Sequence, residues 1–197
     1  MPTARRAVFD GVACVTLLIT LAYTAQLMTF HFLLKWTPKV VVDMGFQPSA
    51  AGGVLVFANC GGLVGSLVLG LLTARIRVRT LTMVMMAFSA GLVTWFGRGQ
   101  GSYAELAAIA AITGFFTNGG IVGLYAVLAR AFPTAVRATA TGFAIGVGRG
   151  GSALAPAVAG SLSAAGYGLQ TVALLMASGS AIALIALLAL GNRAEPA

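Results

Sequence analysis

Long apolar runs recur along the whole chain, each closed by a few charged or turn-forming residues. Six can be delimited: 11–36, 50–73, 80–97, 103–130, 138–164 and 168–190. A bilayer core takes roughly 20 apolar residues per helical crossing, and every run comes close to that or exceeds it. None alternates apolar and polar residues over segments of about ten, as barrel strands do. In hydrocarbon a backbone must bond to itself, which leaves helices or closed barrels as the spanning structures. The pattern therefore predicts an all-α membrane protein with six transmembrane helices in a single domain, residues 1–197. The longest connection, WTPKVVVDMGFQPSA, follows the first run, and Pro38 and Pro48 bracket a short amphipathic piece predicted to lie along the membrane surface.

Composition agrees with lipid as the main solvent. The chain is 59% hydrophobic and 8% charged, with a mean hydropathy of +0.97, against about 25% charged residues in soluble domains. The net charge of +8 does not gather on one soluble face. Arg5, Arg6, Arg75, Arg77, Arg79, Arg130, Arg137 and Arg193 fall at the termini and in alternate loops, and Lys35, Lys39 and Arg98 on the other side. Basic residues concentrate on the cytoplasmic side, so both termini are expected in the cytoplasm and nucleic acid is not expected as a partner. The start, MPTARRAVFDG, leads into an apolar run far longer than a signal-peptide core, so the first span is expected to be retained. Cys14 and Cys60 lie within spans, where a thiol packs as a small apolar group. With no C-x-x-C or His/Cys cluster, neither a metal nor another cofactor is implied.

Small residues at four-residue spacing mark spans two and five: Gly61 and Gly65 in one, Gly142, Gly146 and Gly150 in the other. Such spacing lets helices approach closely in lipid. Their places as middle members of two triplets are those of a three-plus-three repeat.

Halving each run puts Tyr23, Gln26, Asn59, Asn118 and Arg149 near one level at mid-depth, with Tyr125 two turns from Asn118. Transporter substrate sites lie at that level. The amides can instead simply bond neighbouring helices, at about 0.6 kcal/mol each, and the tyrosines can simply pack. Arg149 differs. An arginine at a helix centre costs roughly 2.5–3.5 kcal/mol on insertion scales, and the runs hold no carboxylate near their centres, only Asp10 and Glu105 at the edges of the first and fourth. A guanidinium without an internal counter-ion is suited to an anion, and its fork of donors matches a carboxylate. Gly148, Gly150 and Gly151 leave room for a ligand beside it, so Arg149 is expected in a sealed pocket. His31, the lone histidine, is the side-chain type that carries protons near neutral pH and is the candidate for proton coupling. An intramembrane enzyme is not expected: Ser152 has no base on its helix, and a serine nucleophile needs one within reach.

Two motifs carry a family resemblance. GLLTARIRVRT, Gly70 to Thr80, resembles the loop motif G-x-x-x-D-R-x-G-R-R of the major facilitator superfamily, with Ala74 in place of the aspartate and Arg77 in place of the second glycine. LYAVLARAFPTAVRATATGFAIGVGRGGSALAPAVAG, together with FHFLLKWTPKVVVDMGF, is similar to the aromatic acid:proton symporter branch, Arg137 and Arg149 matching its loop and intramembrane arginines. The resemblance covers essentially the whole chain and is to the C-terminal six-helix half of such a transporter. It implies proton symport of a small aromatic carboxylate across the inner membrane. Arg149 would hold the acid; Tyr23, Gln26, Asn59, Asn118 and Tyr125 would line its cavity. Arg75, Arg79 and Arg137 would govern the cytoplasmic gate. The implied partners are membrane lipid, the organic anion, protons, and an N-terminal six-helix half or a second copy. The alternative is a truncated or split half, a membrane subunit or remnant without transport of its own.

Overall fold

The computed structural model describes residues 2–99 and 101–191, with side chains from residue 13 onward. The side chains of Arg5, Arg6 and Asp10, and all of Arg193, lie outside the described residues. The helices are α1 (Pro2–Asp43), α2 (Ala50–Leu72), α3 (Val78–Phe96), α4 (Tyr103–Ala131), α5 (Thr134–Ser152), α6 (Ala155–Ala164) and α7 (Leu169–Leu190). Among the described residues, five stretches are long and apolar enough to cross a membrane: Ala13–Asp43 of α1, and α2, α3, α4 and α7.

The stretch expected as a single span over 138–164 is two helices. Pro156 sits in the first turn of α6. A proline there has no N–H to offer the Ser152 carbonyl, and its ring crowds that carbonyl four residues back. The chain turns once through Ala153 and Leu154, closed by bonds from Ala153 N–H to the Arg149 carbonyl (3.2 Å) and from Leu154 N–H to the Gly151 carbonyl (3.1 Å), and restarts as α6.

The segment between Pro38 and Pro48 is not a separate surface piece. α1 runs through Pro38 to Asp43, and Gly45, at φ 86°, reverses the chain. Tertiary packing overrides the proline: Val40 and Val41 are fully buried in the cluster that also holds Leu33, Val54 and Leu106.

The remaining ends follow local chemistry. Ser102 caps α4 by accepting from Glu105 N–H at 3.3 Å, with Glu105 in the first turn, where a carboxylate suits the positive end of the helix dipole. Phe132 ends that helix because Pro133 follows and disfavours the helical region at the preceding residue.

The bundle is built around α1 and α4. α1 packs against α7, α5, α4 and α2, and α4 against α2 and α3, while α3 also packs on α7. α2 buries only the stripe Ala51, Val54, Ala58, Gly62, Gly65 and Leu69. It sits so close to α4 that a Cβ on Gly61 or Gly65 would overlap the Ala111 or Phe115 carbonyl, and one on Gly114 that of Ala58. In α5, by contrast, Gly142, Gly146 and Gly150 face open space, whereas Gly148 and Gly151 press against Tyr23 and Thr24 of α1.

A polar stitch joins α3, α4 and α7. Ser89 Oγ lies 3.0 Å from both Thr117 Oγ1 and Ser180 Oγ, and Thr117 donates to the Thr113 carbonyl at 2.7 Å. All are fully buried. A chain of hydroxyls ending on a carbonyl satisfies every member, as an apolar surround requires.

Candidate functional site

The α1–α5 contact creates the site. Gly148 lets α5 close on the Tyr23 ring, and the next residue, Arg149, is carried to the tyrosine hydroxyls. Tyr23, which has no exposed surface, shares a 2.8 Å hydrogen bond with Tyr125 of α4, their rings 5.5 Å apart. The Arg149 guanidinium lies within electrostatic reach of both hydroxyls, Tyr125 foremost. Ser152 Oγ donates to the Arg149 carbonyl at 2.9 Å, tying the arginine's backbone to the break between α5 and α6.

A cavity of about 450 Å³ opens beside this cluster between α1, α4 and the α5–α6 break, a size typical of small-molecule sites. Leu27, Phe30, His31 and Lys35 line it from α1, Asn118, Ile121, Val122 and Tyr125 from α4, and Arg149, Ser152, Ala153 and Pro156 from the third side. Among the described residues no carboxylate reaches it. Asp43 pairs with Lys39 at 2.8 Å, and Glu105 stands at the start of α4. The cavity thus combines apolar walls, a tyrosine hydroxyl beside a guanidinium and unbalanced positive charge, which suits an amphipathic anion with an apolar body.

It is not sealed. Arg149 is exposed and the cavity is open along one side, because only α5 and α6 wall it beyond α1 and α4.

The Major Facilitator Superfamily profile matches residues 12–197. The chain belongs to the Major Facilitator Superfamily. It is a multi-pass, all-helical membrane protein of a transporter family, and not an enzyme. It is 33% identical to the 3-(3-hydroxy-phenyl)propionate transporter of Escherichia coli K12, over 98% of this chain and 47% of the relative. It is 26% identical to the gallate transporter of Pseudomonas putida, over 92% of this chain and 41% of the relative. The 4-hydroxybenzoate transporter of Pseudomonas aeruginosa is also 26% identical, over 89% and 39%. The chain therefore spans less than half the length of these relatives. No solved structure matches it.

Within this superfamily chain, the residues singled out from the sequence separate into groups. Arg149, Tyr125, Asn118 and His31 line the cavity, with Tyr23 buried behind Tyr125 and Arg149. Asn118 also stitches α4 to α2, its Nδ2 donating to the Gly62 carbonyl and Ser66 Oγ, both at 3.1 Å. Gln26 does not reach the cavity. It is fully buried, donating from Nε2 to the Thr117 carbonyl at 3.2 Å, with Oε1 unpartnered. Successive helical residues differ by about 100°, so Gln26 turns inward while Leu27 faces the cavity. Asn59 is exposed on α2 and donates to the Leu55 carbonyl at 2.7 Å. It borders a separate void of about 30 Å³ shared with Asn118.

The three arginines assigned to the gate differ as well. Arg79 spans to α7, where Nε and Nη2 donate to the Leu187 carbonyl at 3.2 and 2.9 Å. It thereby satisfies an orphan carbonyl at a helix C-terminus. Arg137 donates to the Phe132 carbonyl at 3.2 Å and borders an open groove with Thr134 and Thr141. Arg75 is exposed in the turn after α2. Lys35 is a cavity residue that sequence reasoning used only for orientation. Its signal was present, since it lies four residues from His31 and eight from Leu27, on one helical stripe.

Proposed function

We propose that this chain serves secondary active uptake of a small aromatic carboxylate, by proton symport, across the inner membrane with both termini cytoplasmic. The observation that carries the reading is Arg149, a guanidinium beside two tyrosines at an open, partly apolar cavity that no carboxylate reaches among the described residues. A substrate carboxylate would accept its free donors as a forked pair, and the aromatic body would lie against Phe30, Ile121 and Val122. Relatives named for hydroxyphenylpropionate, gallate and hydroxybenzoate transport support the substrate class, and do not favour the alternative of an inactive remnant.

Six crossings in a three-plus-three arrangement belong to the same reading, with α5 and α6 together forming one broken span. The contacts support it: exchanging α1 with α4, α2 with α5 and α3 with α7 maps the main helix pairs onto one another. Glycine-rich broken helices at a mid-depth site are a transporter feature. For the coupled proton the candidate is His31, whose Nδ1 lies 2.9 Å from the Leu27 carbonyl and whose ring borders the cavity. Arg75, Arg79 and Arg137 are proposed to act at the cytoplasmic mouth, Arg79 through its hold on α7.

The deciding experiment is uptake of radiolabelled aromatic acids by cells carrying the transporter that contains this chain. Arg149→Leu should abolish uptake at normal membrane abundance, and Arg149→Lys should recover part of it. Undiminished uptake by Arg149→Leu would refute the carboxylate role.

A further inference from the structure

The cavity has a second positive pole that the carboxylate does not need. His31 and Lys35 line its far end on α1, one turn apart, with Arg149 at the other. Gly148 packs on Tyr23 and Gly151 on Thr24, so Arg149 lies at the level of Tyr23. At 1.5 Å rise per residue, His31 stands about 12 Å along α1 from Tyr23 and Lys35 about 18 Å. Among the described residues Lys35 forms no ion pair; the nearby carboxylate, Asp43, is taken by Lys39.

The chemistry of this pole is mixed. The Leu27 carbonyl can only accept, so His31 Nδ1, 2.9 Å away, carries the ring hydrogen. Before it takes up the coupled proton, the imidazole keeps its lone pair on Nε2, an acceptor. The Lys35 ammonium is donor only. An acceptor beside a donor is matched by one small group that does both, a hydroxyl. A second carboxylate would satisfy the ammonium but set its lone pairs against the Nε2 lone pair. An unsubstituted ring edge would satisfy neither.

We propose that His31 and Lys35 form an outer subsite for a ring hydroxyl, which donates to His31 Nε2 and accepts from Lys35 Nζ. This rests on Arg149 holding the carboxylate. The separation of the poles adds a length requirement: the hydroxyl stands on the far side of the ring, with a short carbon spacer before the carboxylate. Lys35 and His31 thus set specificity among aromatic acids, and Arg149 sets affinity for all of them.

The test is equilibrium binding of 3-(3-hydroxyphenyl)propionate and 3-phenylpropionate to the transporter that contains this chain, in lipid nanodiscs, read as the ratio of their dissociation constants. The wild type should prefer the hydroxylated acid about tenfold, the scale of one hydrogen bond to a charged group. Lys35→Met and His31→Phe, at partly or fully exposed positions, should each bring the ratio to within about twofold. A wild type that binds both acids equally, or variants that keep the wild-type ratio, overturn the subsite. Arg149→Leu separates the two levels: if it binds both acids as tightly as wild type, the carboxylate role falls while the ratio stays readable. A wild type that binds neither acid overturns both.

Discussion

α2 and α5 carry the same sequence device, glycines four residues apart in an apolar helix, and use it in opposite ways. In α2, Gly61 and Gly65 form a seam in which α4 comes into backbone contact. In α5, Gly142, Gly146 and Gly150 touch nothing, and the glycines that matter are the off-register Gly148 and Gly151. The first helix is cemented to its bundle. The second is held along one narrow stripe, Ala144, Gly148 and Ser152, and presents the rest of its surface outward. Spacing alone therefore shows that a helix can be approached, and not on which side.

The contrast can be broken experimentally, and the largest effect belongs to the site. Arg149→Leu should remove binding and uptake of aromatic acids altogether, because among the described residues no other guanidinium lines the cavity.

Next comes the α2–α4 seam. Gly65→Leu should destabilise the chain by about 3 kcal/mol, since overpacking against backbone has no flexible side chain to yield. Gly146→Leu on α5 should stay within about 0.5 kcal/mol. Unfolding in mixed micelles followed by circular dichroism compares them, and equal losses would erase the distinction.

Gly148→Leu should fall between these in stability yet weaken acid binding strongly, because it pushes Arg149 away from Tyr23 and Tyr125. Binding that survives this substitution would show that the α1–α5 contact does not position the guanidinium.

Arg79→Met should cost about 1.5–3 kcal/mol, the scale of hydrogen bonds to a charged group, by leaving the Leu187 carbonyl at the end of α7 without its partner. An unchanged melting temperature would show that the bonds from Arg79 to α7 contribute nothing to stability. Smallest of all, Asn118→Leu should lose about 0.6 kcal/mol with the stitch to α2, while Asn59→Leu, whose amide bonds only its own helix, should lose nothing measurable.

Much of the site was legible in residue chemistry. An arginine deep in an apolar run, far from any carboxylate, announces itself because its insertion cost demands a reason. Tyr125 and Asn118 shared its depth and do line the cavity. Gln26 and Asn59 shared that depth too, yet one turns into the core and the other outward. Lys35 escaped notice because a lysine near a helix end reads as an interfacial anchor, although its helical stripe with Leu27 and His31 was visible. Arg79 was read as part of a loop motif, and nothing local indicated that α7 would end beside it.

The sequence by itself determined that this is a helical membrane chain and where most of its apolar stretches lie, though not that the first helix runs on to Asp43 or that the fifth stretch breaks in two. Hydropathy, prolines and caps act within a turn or two, and in hydrocarbon each helix satisfies its own backbone. It also determined that a positive charge lies deep within the fifth apolar stretch. Only the tertiary structure decided which face of each helix meets another, which glycines are seams and which are open, and which polar groups of one depth share a cavity. Those choices depend on shape complementarity between segments far apart in the chain, which lipid, as apolar as the helices themselves, does not settle for them.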